Sequence, residues 1–115
     1  MNTMNKLLLA AVICASSSVQ AAGDIEAGKE ISAAKCQACH GLEGNGENEM
    51  FPRLAGQYAD YMVMALRHYR DGSRLNPIMA GQTAGLSEQD MQDVAAWFAS
   101  QSGLVTSNQP RTVSK

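Results

Sequence analysis

Apolar residues recur at helical spacing in three separate stretches of this 115-residue chain. In the first, residues 24–35, Ala27, Gly28, Ile31 and Ala34 fall on one side of a helix that Asp24 is placed to cap. In the second, residues 57–71, the stripe is Tyr58, Met62, Ala65, Leu66 and Tyr69, and Gly72 supplies the stop. The third opens at Ser87, an N-cap followed by acidic residues in the first turn. It buries Met91, Val94, Ala95 and Phe98, has Trp97 on its flank and stops at Gly103. No stretch shows the alternation of a half-buried strand, so the pattern predicts an all-α fold.

The segments between the stripes are polar or broken. Residues 41–49 mix Gly41, Gly44 and Gly46 with Glu43, Glu47 and Glu49, and read as a polar loop with solvated glutamates that ends at Pro52. Pro77 drives Asn76 out of the α region, so residues 76–81 are expected to be an extended, non-helical approach to the last helix. Gly28 is the odd member of the first stripe, because glycine costs about 1 kcal/mol in a helix interior. It is either a tolerated defect or a point of close approach by another helix.

The two ends change the picture of how much chain must fold. Lys6, the apolar residues 7–15 and the small residues of Val19-Gln20-Ala21 have the order of a secretory signal peptide cleaved after Ala21. The apolar run is shorter than the roughly 20 residues that cross a bilayer; retention of the segment as an anchor is the alternative. Residues 22–103 then form one small domain, and residues 104–115 a polar, flexible tail containing Pro110. With 9 Lys/Arg against 11 Asp/Glu, the chain is mildly acidic, which argues against nucleic acid as a partner. Export predicts a periplasmic protein.

The candidate chemistry is concentrated in Cys36-Gln37-Ala38-Cys39-His40. On a helix these thiols and this imidazole stand at i, i+3 and i+4, and so reach from one face toward a single flat ligand. A structural zinc site wants four ligands, and outside the motif the chain offers only Cys14, which leaves with the leader, and His68. A thioredoxin-like pair needs an adjoining strand, which the pattern lacks. Covalent attachment of one c-type haem is the reading that remains, with Cys36 and Cys39 as thioether donors and His40 as an iron ligand.

The second axial position has six candidates: Met50, Met62, Met64, Met79, Met91 and His68. Met62, Met64 and Met91 lie in helices, where packing is the economical role for methionine. Met50 lies near His40 in a loop, and His68 stands among Arg67, Arg70 and Asp71 on a charged helix side. Met79, in the segment expected to be extended, is favoured as the ligand. Pro52, twelve residues after His40, either orients the imidazole through its carbonyl or is a turn proline; spacing does not separate the two. Arg67, Arg70 and Arg74 read as a solvated face, with a docking or propionate-pairing patch as the sharper alternative.

Taken together, residues 24–101 resemble the class I cytochromes c, above all one domain of the cytochrome c4 type and the monohaem cytochromes c553 and c5. The resemblance rests on Cys36-x-x-Cys39-His40, on Phe51-Pro52-Arg53-Leu54-Ala55-Gly56-Gln57 with Tyr61, on Arg70-Asp71-Gly72 with Arg74, and on Met79 ahead of Leu86-Ser87. It implies a small cytochrome c fold with helices packed around one haem c. It also implies axial ligation by His40 and Met79, orientation of His40 by Pro52, and crossing of the first and last helices where Gly28 meets Trp97. Cytochromes c4 carry two such domains and this chain has a single haem motif, which leaves open a homodimer or a partner subunit.

The function expected is one-electron transfer and not enzyme catalysis. With both axial positions filled, the iron has no place for a small-molecule substrate. Redox proteins would be the partners: a membrane or periplasmic donor, and a terminal oxidase or reductase as acceptor. The alternative is a haem electron-transfer subunit of a periplasmic oxidoreductase, for example one with a sulfide-oxidising flavoprotein. A gas sensor or peroxidase-like haem is a third class, and it needs an open iron.

Overall fold

Asp24 starts the first helix as its side chain suggests. Its backbone is extended, and its carboxylate accepts from the N–H groups of Glu26 and Ala27 at 2.9 and 3.0 Å. The computed structural model describes residues 22–46 and 48–103. The leader assigned to residues 1–21, the tail assigned to 104–115 and Glu47 of the polar loop lie outside the described residues.

Helix α1 (Ile25–Ile31) runs directly into a π-helical turn (Ser32–Cys36) and then into α2 (Gln37–His40). The helical path thus continues past the expected end near Lys35. Nothing in Ala33, Ala34, Gln37 or Ala38 opposes helix, and the stop comes at Gly41, whose φ of 78° suits a residue without a Cβ. A π turn inserts an extra residue into one helical turn. It resets the phase of residues 36–40 relative to the side of α1 that faces the last helix.

Helix α3 (Ala59–Asp71) begins two residues later than the stripe suggests and has no side-chain cap at Tyr58. It buries Met62, Val63 and Ala65, while Tyr58 stays exposed, and it ends at Gly72 in the left-handed conformation. Helix α4 (Pro77–Thr83) occupies the stretch expected to be extended. Asn76 is indeed extended, as its proline neighbour requires. Proline is well suited to the first helical position, however, and the Asn76 carboxamide caps the turn by accepting from Ile78 and Met79 N–H, both at 3.1 Å. Helix α5 (Glu88–Ala99) carries the capping box of Ser87 and Asp90, with bonds of 3.0 and 2.8 Å. All described secondary structure is helical, and none of these helices is long and apolar enough to cross a membrane.

The core is built from Met62 and Val63 of α3 and Val94, Ala95, Trp97 and Phe98 of α5, with Met91 wholly buried beside them. Helix α1 crosses α5 at Gly28. A Cβ there would sit 2.0 Å from the Asp93 carbonyl oxygen and 2.9 Å from the Trp97 Cβ, so the glycine marks a backbone contact and not a defect. Asp93 is buried on α5 and accepts the Asp24 N–H at 2.7 Å and the Gln89 amide at 2.8 Å. The start of α1 is thereby fixed to the middle of α5.

A second tie lies just beyond His40. The Leu42 carbonyl accepts from Ser32 Oγ at 2.8 Å and from Trp97 Nε1 at 2.7 Å, joining the π turn, the polar loop and α5 at one oxygen. Trp97→Phe is expected to cost about 1 kcal/mol, because Ser32 still satisfies the oxygen. Adding Ser32→Ala strips the last of these two donors from the partly buried carbonyl. The double variant should therefore lose more than the sum of the single variants, read from denaturant midpoints.

Candidate functional site

Between α2, α3, α4 and the polar loop lies a cleft of about 410 Å³. Its floor is apolar, with Met62 and Leu66 of α3 and Val94 and Phe98 of α5. Cys36, Cys39 and His40 all line it, as expected for residues at i, i+3 and i+4 on one helical path. The two cysteines form no disulfide with one another and are only partly exposed. Burial pushes the Cys36 thiol up to about 11, with Lys35 opposing and Cys39 adding to the shift, so it is neutral at physiological pH.

His40 is 7% exposed, and its surroundings fix its tautomer. Nδ1 lies 2.8 Å from the Pro52 carbonyl. A carbonyl only accepts, so Nδ1 carries a proton, and in the neutral ring the lone pair is then on Nε2. The loop is folded so as to deliver that carbonyl. Gly46 N–H closes on His40 O at 2.8 Å, and Gly44 O accepts from Leu54 and Ala55 N–H at 2.7 and 3.0 Å. The strand of chain bearing Pro52 is thereby brought back over α2. Phe51 meets the imidazole edge-on, with ring centroids 6.2 Å apart. Spacing left the two readings of Pro52 even; its carbonyl lies within hydrogen-bond distance of the His40 ring.

Three of the candidate sulfur ligands line the cleft: Met50, Met62 and Met79. Met62 belongs to the core, and Met50 is 80% exposed. Met64, Met91 and His68 do not line it. Met79 is half-buried, and its backbone is held at both ends, with its N–H on the Asn76 carboxamide and its carbonyl accepting from the buried Thr83 hydroxyl at 2.9 Å. The freedom expected of an extended segment is replaced by a capped turn. The Asn-Pro pair that suggested a break is the signal that, read as N-cap and first helical residue, would have found it.

The three arginines of α3 and its exit do not act as one face. Arg67 Nε lies 2.7 Å from Glu88, Arg70 pairs with the same carboxylate, and Arg70 also donates to Leu86 O at 3.2 Å. Arg67 and Arg70 stay solvated as expected, but they share a carboxylate that comes from α5 and that the sequence did not indicate. Arg70 and then Arg67 hold the Glu88 carboxyl below its usual range. Arg74 instead lies over the Tyr69 ring at 4.8 Å and reaches the Tyr61 hydroxyl at 3.5 Å, inside the cleft.

These residues fit a haem. The cleft has an apolar floor, two thiols on one helical path, an imidazole whose outer nitrogen is already bonded, and a thioether on α4. Such a donor set suits haem iron. The charged side chains lining the cleft are Lys35, Arg53 and Arg74, opposite in sign to the carboxylates of a haem.

Comparison with known proteins gives the same result. The family model described as cytochrome c matches residues 25–102. Cytochrome c4 of Pseudomonas aeruginosa is 40% identical over 114 residues, covering 97% of this chain and 56% of that protein. Cytochrome c-554(548) of Halomonas halodenitrificans is 40% identical over 83 residues, covering 70% of this chain and 99% of the relative. A thiosulfate dehydrogenase electron acceptor of Stutzerimonas stutzeri is 42% identical over 72 residues, covering 62% of this chain and 33% of the relative. The crystal structure of reduced recombinant cytochrome c4 from Pseudomonas stutzeri superposes with a TM-score of 0.67 at 42% identity, covering 73% of this chain and 48% of that one. The chain thus spans about half the length of the cytochromes c4 it matches. A match over nearly all the described residues, on a chain whose cleft gathers two thiols and a lone-pair imidazole, makes this an all-α member of the cytochrome c family that carries one covalently bound haem c.

Proposed function

We propose that this cytochrome is an exported one-electron carrier whose haem is held by thioethers from Cys36 and Cys39 and by axial His40 and Met79. The observation that carries the reading is the bond of His40 Nδ1 to Pro52 O, which commits Nε2 to the cleft that Met79 also lines. When bound, the haem supplies an iron that alternates between the ferric and ferrous states. The protein's own part is to hold the iron's surroundings constant through that change, which Pro52 does for the imidazole and Asn76 and Thr83 do for Met79. With His40 and Met79 both holding the iron, the ferrous state would be favoured and no position would be left for a substrate.

In this reading residues 1–21 are the export leader and residues 22–103 the haem domain of a periplasmic protein. Its partners are a redox donor and an acceptor that meet it transiently. Met79→Ala should abolish the weak red absorption band that sulfur-ligated ferric haem shows; a surviving band would assign the sixth ligand elsewhere. Similarity to a protein named as an electron acceptor of thiosulfate dehydrogenase favours one second reading, a dedicated acceptor for a sulfur-oxidising enzyme. Stable co-purification of a catalytic chain with the native protein would select it over the free carrier.

A further inference from the structure

Residues 72–87 run from the end of α3 to the start of α5 and include α4, which carries Met79 and packs against α3. Much of this segment is solvated: Leu75 is 91% exposed and Ile78 62%. Inside it, Arg74 N–H closes on His68 O at 2.9 Å, and Thr83 and Leu86 are buried. Its two ends are joined from side to side. Arg67 and Arg70, on the last turns of α3, both grip Glu88, the first residue of α5, and Arg70 also holds the Leu86 carbonyl. These are the ion pairs found among the described residues, and they converge on one carboxylate at the neck of one segment.

We propose that the Arg67–Glu88–Arg70 clamp is a positioning device for Met79: it closes the neck of residues 72–87 and so restrains the opening that would withdraw the sulfur from iron. The proposal rests on the reading of Met79 as a ligand. Exposed ion pairs contribute little to global stability, since solvent screens them. Their effect is concentrated in local opening, because separating the ends of residues 72–87 breaks both pairs at once while the α1–α5 core stays formed. Leu86 on the neck also lines the cleft, so a loosened neck reaches the site directly.

The test uses the holoprotein. In Glu88→Gln, and separately in Arg70→Met, which leaves the first turn of α5 untouched, the red band should be present without denaturant. It should then vanish at a lower urea concentration than in the parent, while the far-UV circular dichroism midpoint moves much less. Uptake of carbon monoxide by the ferrous protein, which needs the sulfur to leave, should be about three- to ten-fold faster. Combining the two substitutions should shift the band midpoint by less than the sum of the single shifts, because both remove the Arg70–Glu88 pair. An unchanged band midpoint and unchanged carbon monoxide uptake, or equal shifts of band and circular dichroism midpoints, would overturn the clamp. A red band that persists in Met79→Ala overturns the ligand reading first and the clamp with it, and so is distinct from a failure of the clamp alone.

Discussion

Gly28→Val is expected to destabilise the protein by roughly 3 kcal/mol or more, at the upper end of what overpacking costs. Two effects compete at this position. Removing a glycine from a helix interior gains up to about 1 kcal/mol of propensity. Against it stands a Cβ built 2.0 Å from the Asp93 carbonyl oxygen and 2.5 Å from its carbon, both backbone atoms of α5 that cannot rotate away. The helices must separate, and Val94, Trp97 and Phe98 lose packing with them. Even alanine should show the same sign. For a domain of this size the melting temperature should fall by more than about 10 °C, measured by circular dichroism on the holoprotein. A melting temperature within about 2 °C of the parent would mean that α1 and α5 do not meet at this glycine.

Replacing both Cys36 and Cys39 with serine should remove all covalently held haem. Serine keeps the size and the helix but has no sulfur to form a thioether. Any haem that still enters the cleft should be fully extracted by acidified acetone, and the intact mass should match the polypeptide alone. Retention of covalent haem would move the attachment away from these two residues. Single variants are expected to keep one thioether each, so the double variant is the decisive one.

What was legible in the chain follows from how local each signal is. Asp24, Ser87 with Asp90, and Gly72 act on backbone groups within a few residues, and the structure has each doing what its side chain suggests. Gly28 and Trp97 were placed together by resemblance, and the crossing of α1 and α5 bears that out. The misses have other causes. Pro77 was read as a breaker because its effect on Asn76 is strong, yet the same ring is compatible with a first helical turn and Asn76 supplies the cap. The π turn has no signature in Ser32-Ala33-Ala34-Lys35-Cys36, and it is held by a serine bond to a carbonyl ten residues on. Glu88 looked like an ordinary first-turn acid; its partners lie 18 and 21 residues away on another helix. Side-chain pairs of that separation leave no periodic trace.

The double occupancy of the Leu42 carbonyl bears on how the chain folds. Its donors come from residue 32 and residue 97, so it forms only after a loop spanning most of the domain has closed. The bond from Asp24 to Asp93 spans a similar length. Long-range closures of this kind slow folding relative to helix pairs joined by short turns. The α1–α5 closure is therefore a non-local one, and a nascent chain lacking its last helix has the haem-attachment residues but not the bonds from Asp93 and Trp97 that hold the start of α1 and the Leu42 carbonyl in place.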